Sequence, residues 1–478
     1  MATRQAMSIC APMISVFPHR PMIVADVEQC DRRSFGRTLQ VRSCSATSHV
    51  APLRRSGNYQ PSLWTDERRQ SLTNTSTVQQ EEKRERIKVL TEQTRNLIRE
   101  KQRVAEQLQL IDHLQQLGVA YHFKDEIADV LSRLHASLDH VSSQLKDDLH
   151  ATALLFRLLR ANGFSVSQDL LETFRDEKGN FEARCENQIR GLLSLYEASY
   201  LEKEGETLLK EAMDFATKQL KGFMEEGSVP ETGGLREQMA HALQLPLNWR
   251  LERVQHRWFI EACSSGDNNI NPLLLEFAKL DFNLVQDMYK SELRELSRWW
   301  SELGLPEKLP FFRDRLLENY TWALGFSYEP DSRRCRMIEA KACSESAHSS
   351  SSFIKPCLSQ LSKLERVLLQ MGLNCHGQAS RWGNLCKAYF EEAKWFHHGQ
   401  TPELQVYLEN GWVSISNPLL LFTAYCVGKD LTGEALKSFS SYYAITRSSS
   451  MLFRLYDDMG TSTHEMERGD VATCIQCA

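Results

Sequence analysis

Near its C-terminal end the chain reads RLYDDMGTSTHEMERGD, from Arg454 to Asp470. On a helix Asp457, Thr461 and Glu465 stand at i, i+4 and i+8 and drift slowly around one face. Two carboxylates and a hydroxyl are hard oxygen donors. Such donors suit Mg2+, which wants octahedral oxygen coordination and commonly shares itself with substrate phosphates. Arg454 lies one turn earlier on the same side, where a guanidinium can hold a phosphate oxygen. The plainer competing reading is a solvated acidic helix face with a surface arginine.

A second cluster is Arg313-Asp314-Arg315, after the loop signal LGLPEKLP. Two arginines flanking one residue can both point into a cleft mouth, and their forks suit a leaving pyrophosphate. A surface helix start is the alternative. Trp299, Trp300, Tyr320, Trp322 and Phe326 lie close by in sequence. Aromatic faces stabilise a carbocation as they do other cations, although core packing accounts for most of them. His150, His241, His256, His397 and His398 make no metal-ligand spacing with cysteine or carboxylate. Cys474 and Cys477 form a CxxC with no second pair to complete a zinc site.

The elements that must position these residues read as helices. Ile87, Leu90, Leu97, Ile98, Val104, Leu108, Ile111, Leu114 and Leu117 follow helical spacing. The pattern returns over Asp148–Ala161, where Gly163 breaks it, and over Gln188–Tyr200, continuing through Leu201–Glu225. Leu273–Tyr289 and Leu293–Trp300 are strongly apolar, and the text is helical again from Leu358 through Trp395. Strand alternation with tight-turn dipeptides is almost absent, so the fold class is all-α. A boundary falls in the small, polar stretch SSGDNNIN, Ser264 to Asn271. AKACSESAHSSSSF, Ala340 to Phe353, is irregular.

Composition limits the partners. An apolar fraction of 42% and a charged fraction of 25% are those of a soluble globular protein. A net charge of −5 predicts no general affinity for nucleic acid or anionic membrane. No apolar run is long enough to span a bilayer. The 13 cysteines are scattered, as expected of reduced thiols. The first fifty or so residues carry Arg4, Arg20, Arg32, Arg33, Arg37 and Arg42, several serines, no lysine and few acids. That is the composition of an organellar transit peptide rather than of a secretory signal.

With these stretches in view the chain resembles the plant terpene synthase family, class I and monoterpene synthase-like. Arg54-Arg55, eight residues and Trp64 (RRSGNYQPSLW) resemble its RRx8W motif. LSLYEAS, LSRWW, RDR, CKAYFEEAKW and the Arg454–Asp470 stretch resemble further landmarks in the family's order. The resemblance implies a leader over 1–53, an N-terminal relic α-barrel over 54–264, and a C-terminal metal-binding bundle over 265–478. It implies that Asp457, Thr461 and Glu465 bind Mg2+, with Mn2+ as a substitute, and that Arg313, Arg315 and Arg454 bind diphosphate. Trp322 matches an aromatic that stabilises cationic intermediates, and Arg54 and Arg55, with Trp64, a motif associated with isomerisation. The implied activity is Mg2+-dependent ionisation of geranyl diphosphate to a monoterpene by a monomeric enzyme of the plastid stroma.

The chain also departs from that pattern. The family's other metal motif is DDxxD, yet Asp331 is the only aspartate between Tyr320 and Gln400. The segment from about Ala340 to Trp382 reads unlike its surroundings, and the chain stops soon after the metal stretch. A shortened, truncated C-terminal domain is therefore expected, and two other readings stand beside the first. One is a catalytically impaired relative or an incorrect gene model; the other is a sesquiterpene or hemiterpene synthase.

Overall fold

The computed structural model describes residues 62–181, 188–226, 234–265, 270–304, 314–346, 376–427, 443–468 and 472–478. Among them there is no strand, only an isolated bridge between Arg175 and Phe181. The α-helices, in chain order, are α1 (Asp66–Gln70), α2 (Thr77–Glu100), α3 (Val104–Gln116), α4 (Lys124–Ala136), α5 (Leu138–Leu145) and α6 (Leu149–Ala161). They continue with α7 (Ile189–Ser199), α8 (Thr207–Glu226), α9 (Leu235–Gln244), α10 (Glu252–Ser265), α11 (Pro272–Leu303) and α12 (Leu316–Phe326). The last are α13 (Arg333–Ser346), α14 (His376–His398), α15 (Leu404–Ser414), α16 (Asn417–Val427), α17 (Tyr443–Arg468) and α18 (Cys474–Cys477). The all-α expectation holds. No described helix is long and apolar enough to cross a membrane.

Two helical stretches differ in detail from their apolar pattern. The run from Ile87 to Leu117 is two helices, because Lys101 turns extended after α2. The corner is stapled by Gln107, whose amide donates to the Lys101 carbonyl at 2.8 Å, and by a 3.0 Å ion pair between Lys101 and Glu106. The stretch after Tyr200 becomes helical only at Thr207. Gly205 at φ +87° provides the left-handed residue of that loop.

The first core gathers around α6, which is buried along almost its whole length, Leu149 to Ala161. The Asp148 side chain caps it by accepting from Ala151 N–H at 2.9 Å. That core does not end at the polar boundary. Leu274, Phe277 and Ala278 of α11 belong to it, while Val285, Tyr289, Leu293, Leu296 and Trp300 of the same helix build a second core. α11 is thus one long shared element. Asn271 caps its start, Pro272 occupies the first turn, and Gly304 at φ +57° ends it.

The second half is tied by a buried cluster between α11, α12 and α13. Arg336 donates to both oxygens of Glu292, at 2.7 and 2.9 Å, and the Tyr320 hydroxyl donates to the same carboxylate at 2.8 Å. Arg336 is 0% and Glu292 1% exposed, so each charge depends on the other for its solvation. Removing one partner of such a pair costs about 3–5 kcal/mol.

Candidate metal and diphosphate site

Asp457, Thr461 and Glu465 share α17, as their spacing requires. Asp457 and Glu465 are half-buried, and Thr461 sits between them with its hydroxyl donating to the Asp457 carbonyl at 2.8 Å. Arg454, one turn earlier, pairs with the Asp457 carboxylate. Its Nε lies 3.0 Å from Asp458 Oδ1, an ion-pair contact without hydrogen-bond alignment. Asp458 itself is 1% exposed. It accepts from the Tyr407 hydroxyl at 2.7 Å and from Cys474 N–H at 2.8 Å. The adjacent aspartates therefore differ in kind. Asp458 anchors α15, α17 and α18 together, while Asp457 faces the row of oxygens.

Electrostatics separate this cluster from an ordinary acidic surface. Burial pushes the Asp457 carboxyl above its usual range; Arg454 and Arg315 oppose the shift, and Asp458 adds to it. Burial also raises Glu465, with the charges of Asp457 and Asp458 adding and the nearby Thr461 and Arg454 opposing. Glu392 of α14 is raised by burial too, although Ser414 donates to it. Burial works against the Arg454 charge, yet Tyr407, Asp457, Asp458 and Glu392 hold the guanidinium protonated well above its ordinary value. Gly411 lets this arginine pass. A Cβ at that position would stand 3.0 Å from Arg454 Cδ and 3.1 Å from Cγ.

Crowded, desolvated carboxylates in excess of the local cations favour a bound positive charge. The donors Asp457, Thr461 and Glu465 are all oxygens, and they fit a hard divalent ion. Among the described residues no group of three or more His, Cys, Asp or Glu side chains is placed to hold a metal ion by itself. α17 offers two carboxylates and a hydroxyl, leaving other coordination positions to water and to a ligand's own oxygens.

The aromatic expectation has a defined place. Trp322 of α12 is half-buried and packs on Phe453 of α17, ring centroids 4.8 Å apart at 39°. Phe453 lies one turn before Asp457 on α17, so this aromatic pair is on the helix face that carries the row. Arg315 stands just before α12, and its charge reaches Asp457. Trp64 is half-buried, with the Arg68 guanidinium 4.5 Å from its ring centroid. Arg313, Arg54, Arg55, the leader, Ala347–Phe353 of the stretch expected to be irregular and the first part of the Leu358–Trp395 run, up to 375, lie outside the described residues, whereas Ala340–Ser346 is helical as the end of α13.

Sequence spacing did not reveal Tyr407, Glu392 or Gly411, which come from other helices. Asp458 was visible only as the second member of an Asp-Asp pair.

An architecture that is all-helical among the described residues, with an oxygen row, a half-buried arginine and an adjoining aromatic pair in its second half, has the makings of a metal-assisted diphosphate enzyme. Comparison with known proteins names the class. Residues 63–243 match the family described as "Terpene synthase, N-terminal domain". Residues 301–347 and 351–478 match "Terpene synthase family, metal binding domain". The chain is 50% identical over 476 residues to Monoterpene synthase 7, chloroplastic, of Hedychium coronarium, covering 92% of this chain and 80% of that protein. A limonene synthase structure with 2-fluorolinalyl diphosphate superposes with a TM-score of 0.79 at 35% identity, covering 89% of this chain and 85% of that one. The isoprene synthase of grey poplar, solved with three Mg2+ ions and dimethylallyl-S-thiolodiphosphate, gives 0.74 at 35% identity, covering 83% and 82%. The chain belongs to the terpene synthase family, and it is a lyase of the all-α terpenoid fold with a metal-binding C-terminal domain.

Proposed function

We propose that this chain is a monoterpene synthase that ionises geranyl diphosphate with Mg2+ as its cofactor. The observation that carries the reading is α17 itself, where Asp457, Thr461 and Glu465 line up beside Arg454 and next to the Trp322–Phe453 wall. A bound divalent ion supplies Lewis-acid neutralisation of the leaving diphosphate. The chain's own groups do the rest. Asp457, Thr461 and Glu465 would hold the metal ion. Arg454, Arg315 and Arg313 take diphosphate oxygens, which requires Arg454 to exchange part of its pairing with Asp457. Trp322 presents a ring face to developing positive charge. Arg54, Arg55 and Trp64 are assigned to the isomerisation that precedes ring closure.

The domain division at 264 and 265, a plastid location and a monomeric state complete the proposal. Relatives named as chloroplastic monoterpene synthases support the substrate and the compartment.

The test is a volatile-product assay of the purified chain with geranyl diphosphate and Mg2+. Product well above an Asp457→Ala control supports the reading, and none above that control overturns it. One observation favours a second reading, a catalytically impaired relative. DDxxD is absent, and α13 ends at Ser346 without an aspartate. Sequencing the transcript across the codons for Ala340 to Trp382 separates the two, because a restored DDxxD there returns the chain to the first reading.

A further inference from the structure

The segment after Trp64 runs along one face of α11. Thr75 N–H donates to Asp287 at 3.1 Å, Asn74 donates to Ser291 at 2.7 Å, and Arg294 donates to the Leu72 carbonyl and to Asn74. At the far end of this row stands Arg69, 1% exposed. Its Nη1 donates to the Trp64 carbonyl at 2.6 Å and to Asp314 Oδ2 at 2.9 Å, and its Nε donates to Ser297 at 3.0 Å. Ser297 in turn donates to Asp66. The other Asp314 oxygen accepts from Leu316 N–H at 3.1 Å, in the first turn of α12. One buried guanidinium thus joins the strap that begins at Trp64, the long shared helix, and the turn that carries Arg315.

We propose that Arg69 is a positioning residue, which clamps the strap onto the Asp314–Arg315 turn and takes up the Asp314 charge so that this carboxylate does not draw Arg315 from the metal helix. The proposal rests on the reading of Arg315 as a diphosphate ligand. Asp314 is sandwiched in sequence between Arg313 and Arg315. With Arg69 removed, its negative charge is left beside the position assigned to an anionic ligand, where it repels that ligand and competes for the neighbouring guanidinium. With Asp314 neutralised as well, that repulsion disappears. A merely structural clamp has no such rescue, because the double variant lacks both halves of the contact.

The test uses the full chain and inorganic diphosphate with Mg2+, titrated calorimetrically. Arg69→Met is expected to weaken diphosphate binding about tenfold, and Arg69→Met with Asp314→Asn to recover most of that loss. Arg69→Gln serves in both backgrounds if the Met variant does not fold. Unchanged binding in the single variant overturns the proposal, as does a double variant no better than the single. Should the wild type itself bind no diphosphate, the functional reading is what fails. The clamp is then judged by hydrogen exchange over residues 314–320, which is faster in the single variant if Arg69 holds the turn and unchanged if it does not.

Discussion

Around Glu292, both carboxylate oxygens are met by donors from Arg336 and Tyr320, and the cluster is sealed from water. Around Asp457, the same residue types are arranged otherwise. Asp457, Asp458, Glu465 and Glu392 gather about Arg454, and burial holds three of those carboxyls above their usual range. The first cluster is complete and needs nothing from outside. The second carries an excess of negative charge, which a cation relieves. Two sites of similar composition, one buried and one half-buried, thus differ in charge balance: one ties helices together, and the other is the one we propose takes a cation.

That contrast can be broken from either side. The largest expected effect is on the complete cluster. Arg336→Met leaves Glu292 buried and unpaired, at a cost of about 3–5 kcal/mol, and thermal unfolding is expected to show the same loss with and without Mg2+. On the other side, Asp457→Ala is expected to lower turnover of geranyl diphosphate by about two orders of magnitude or more. Unfolding of that variant without metal should change far less than in Arg336→Met.

A third buried acid sharpens the comparison. Glu339 of α13 is 0% exposed and, among the described residues, neither carboxyl oxygen has a hydrogen-bond partner. Burial raises it well above the ordinary value of 4.5. An acid raised in the folded state carries no ionisation penalty while both states are protonated. The penalty grows as pH rises above 4.5, where the unfolded chain ionises freely and the folded one does not. Glu339→Met is therefore expected to stabilise the protein by about 1–3 kcal/mol near neutral pH. Denaturant unfolding across the pH range should show that gain shrink towards pH 4.5, leaving only the part due to the buried, unpaired neutral carboxyl.

The smallest effect concerns the fit of Arg454. Gly411→Ala places a methyl 3.0 Å from an arginine already held by two aspartates. A loss of about 1–2 kcal/mol is expected from the overpacking, readable in unfolding, together with weaker diphosphate binding.

The legible parts of the molecule are those set by short range. Asp457, Thr461 and Glu465 share a face because helical spacing forces them to, and Arg454 reaches both aspartates from three and four residues away. What stayed hidden depends on chain distance. Tyr407 reaches Asp458 across 51 residues, and Arg69 reaches Asp314 across 245. No local pattern announces such partners. The break at Lys101 was equally silent, because the apolar period runs on through the corner. The polar stretch before Asn271 did mark a helix end, but the first core continues past it into α11.

The central claim is that the α17 row is a joint site for metal and diphosphate. Its most direct test is calorimetric titration of Mg2+ with inorganic diphosphate into the full chain and into Asp457→Ala. Binding in which each ligand strengthens the other is expected for the wild type, and its loss for the variant. Equal binding to both proteins, or none to the wild type, would contradict it.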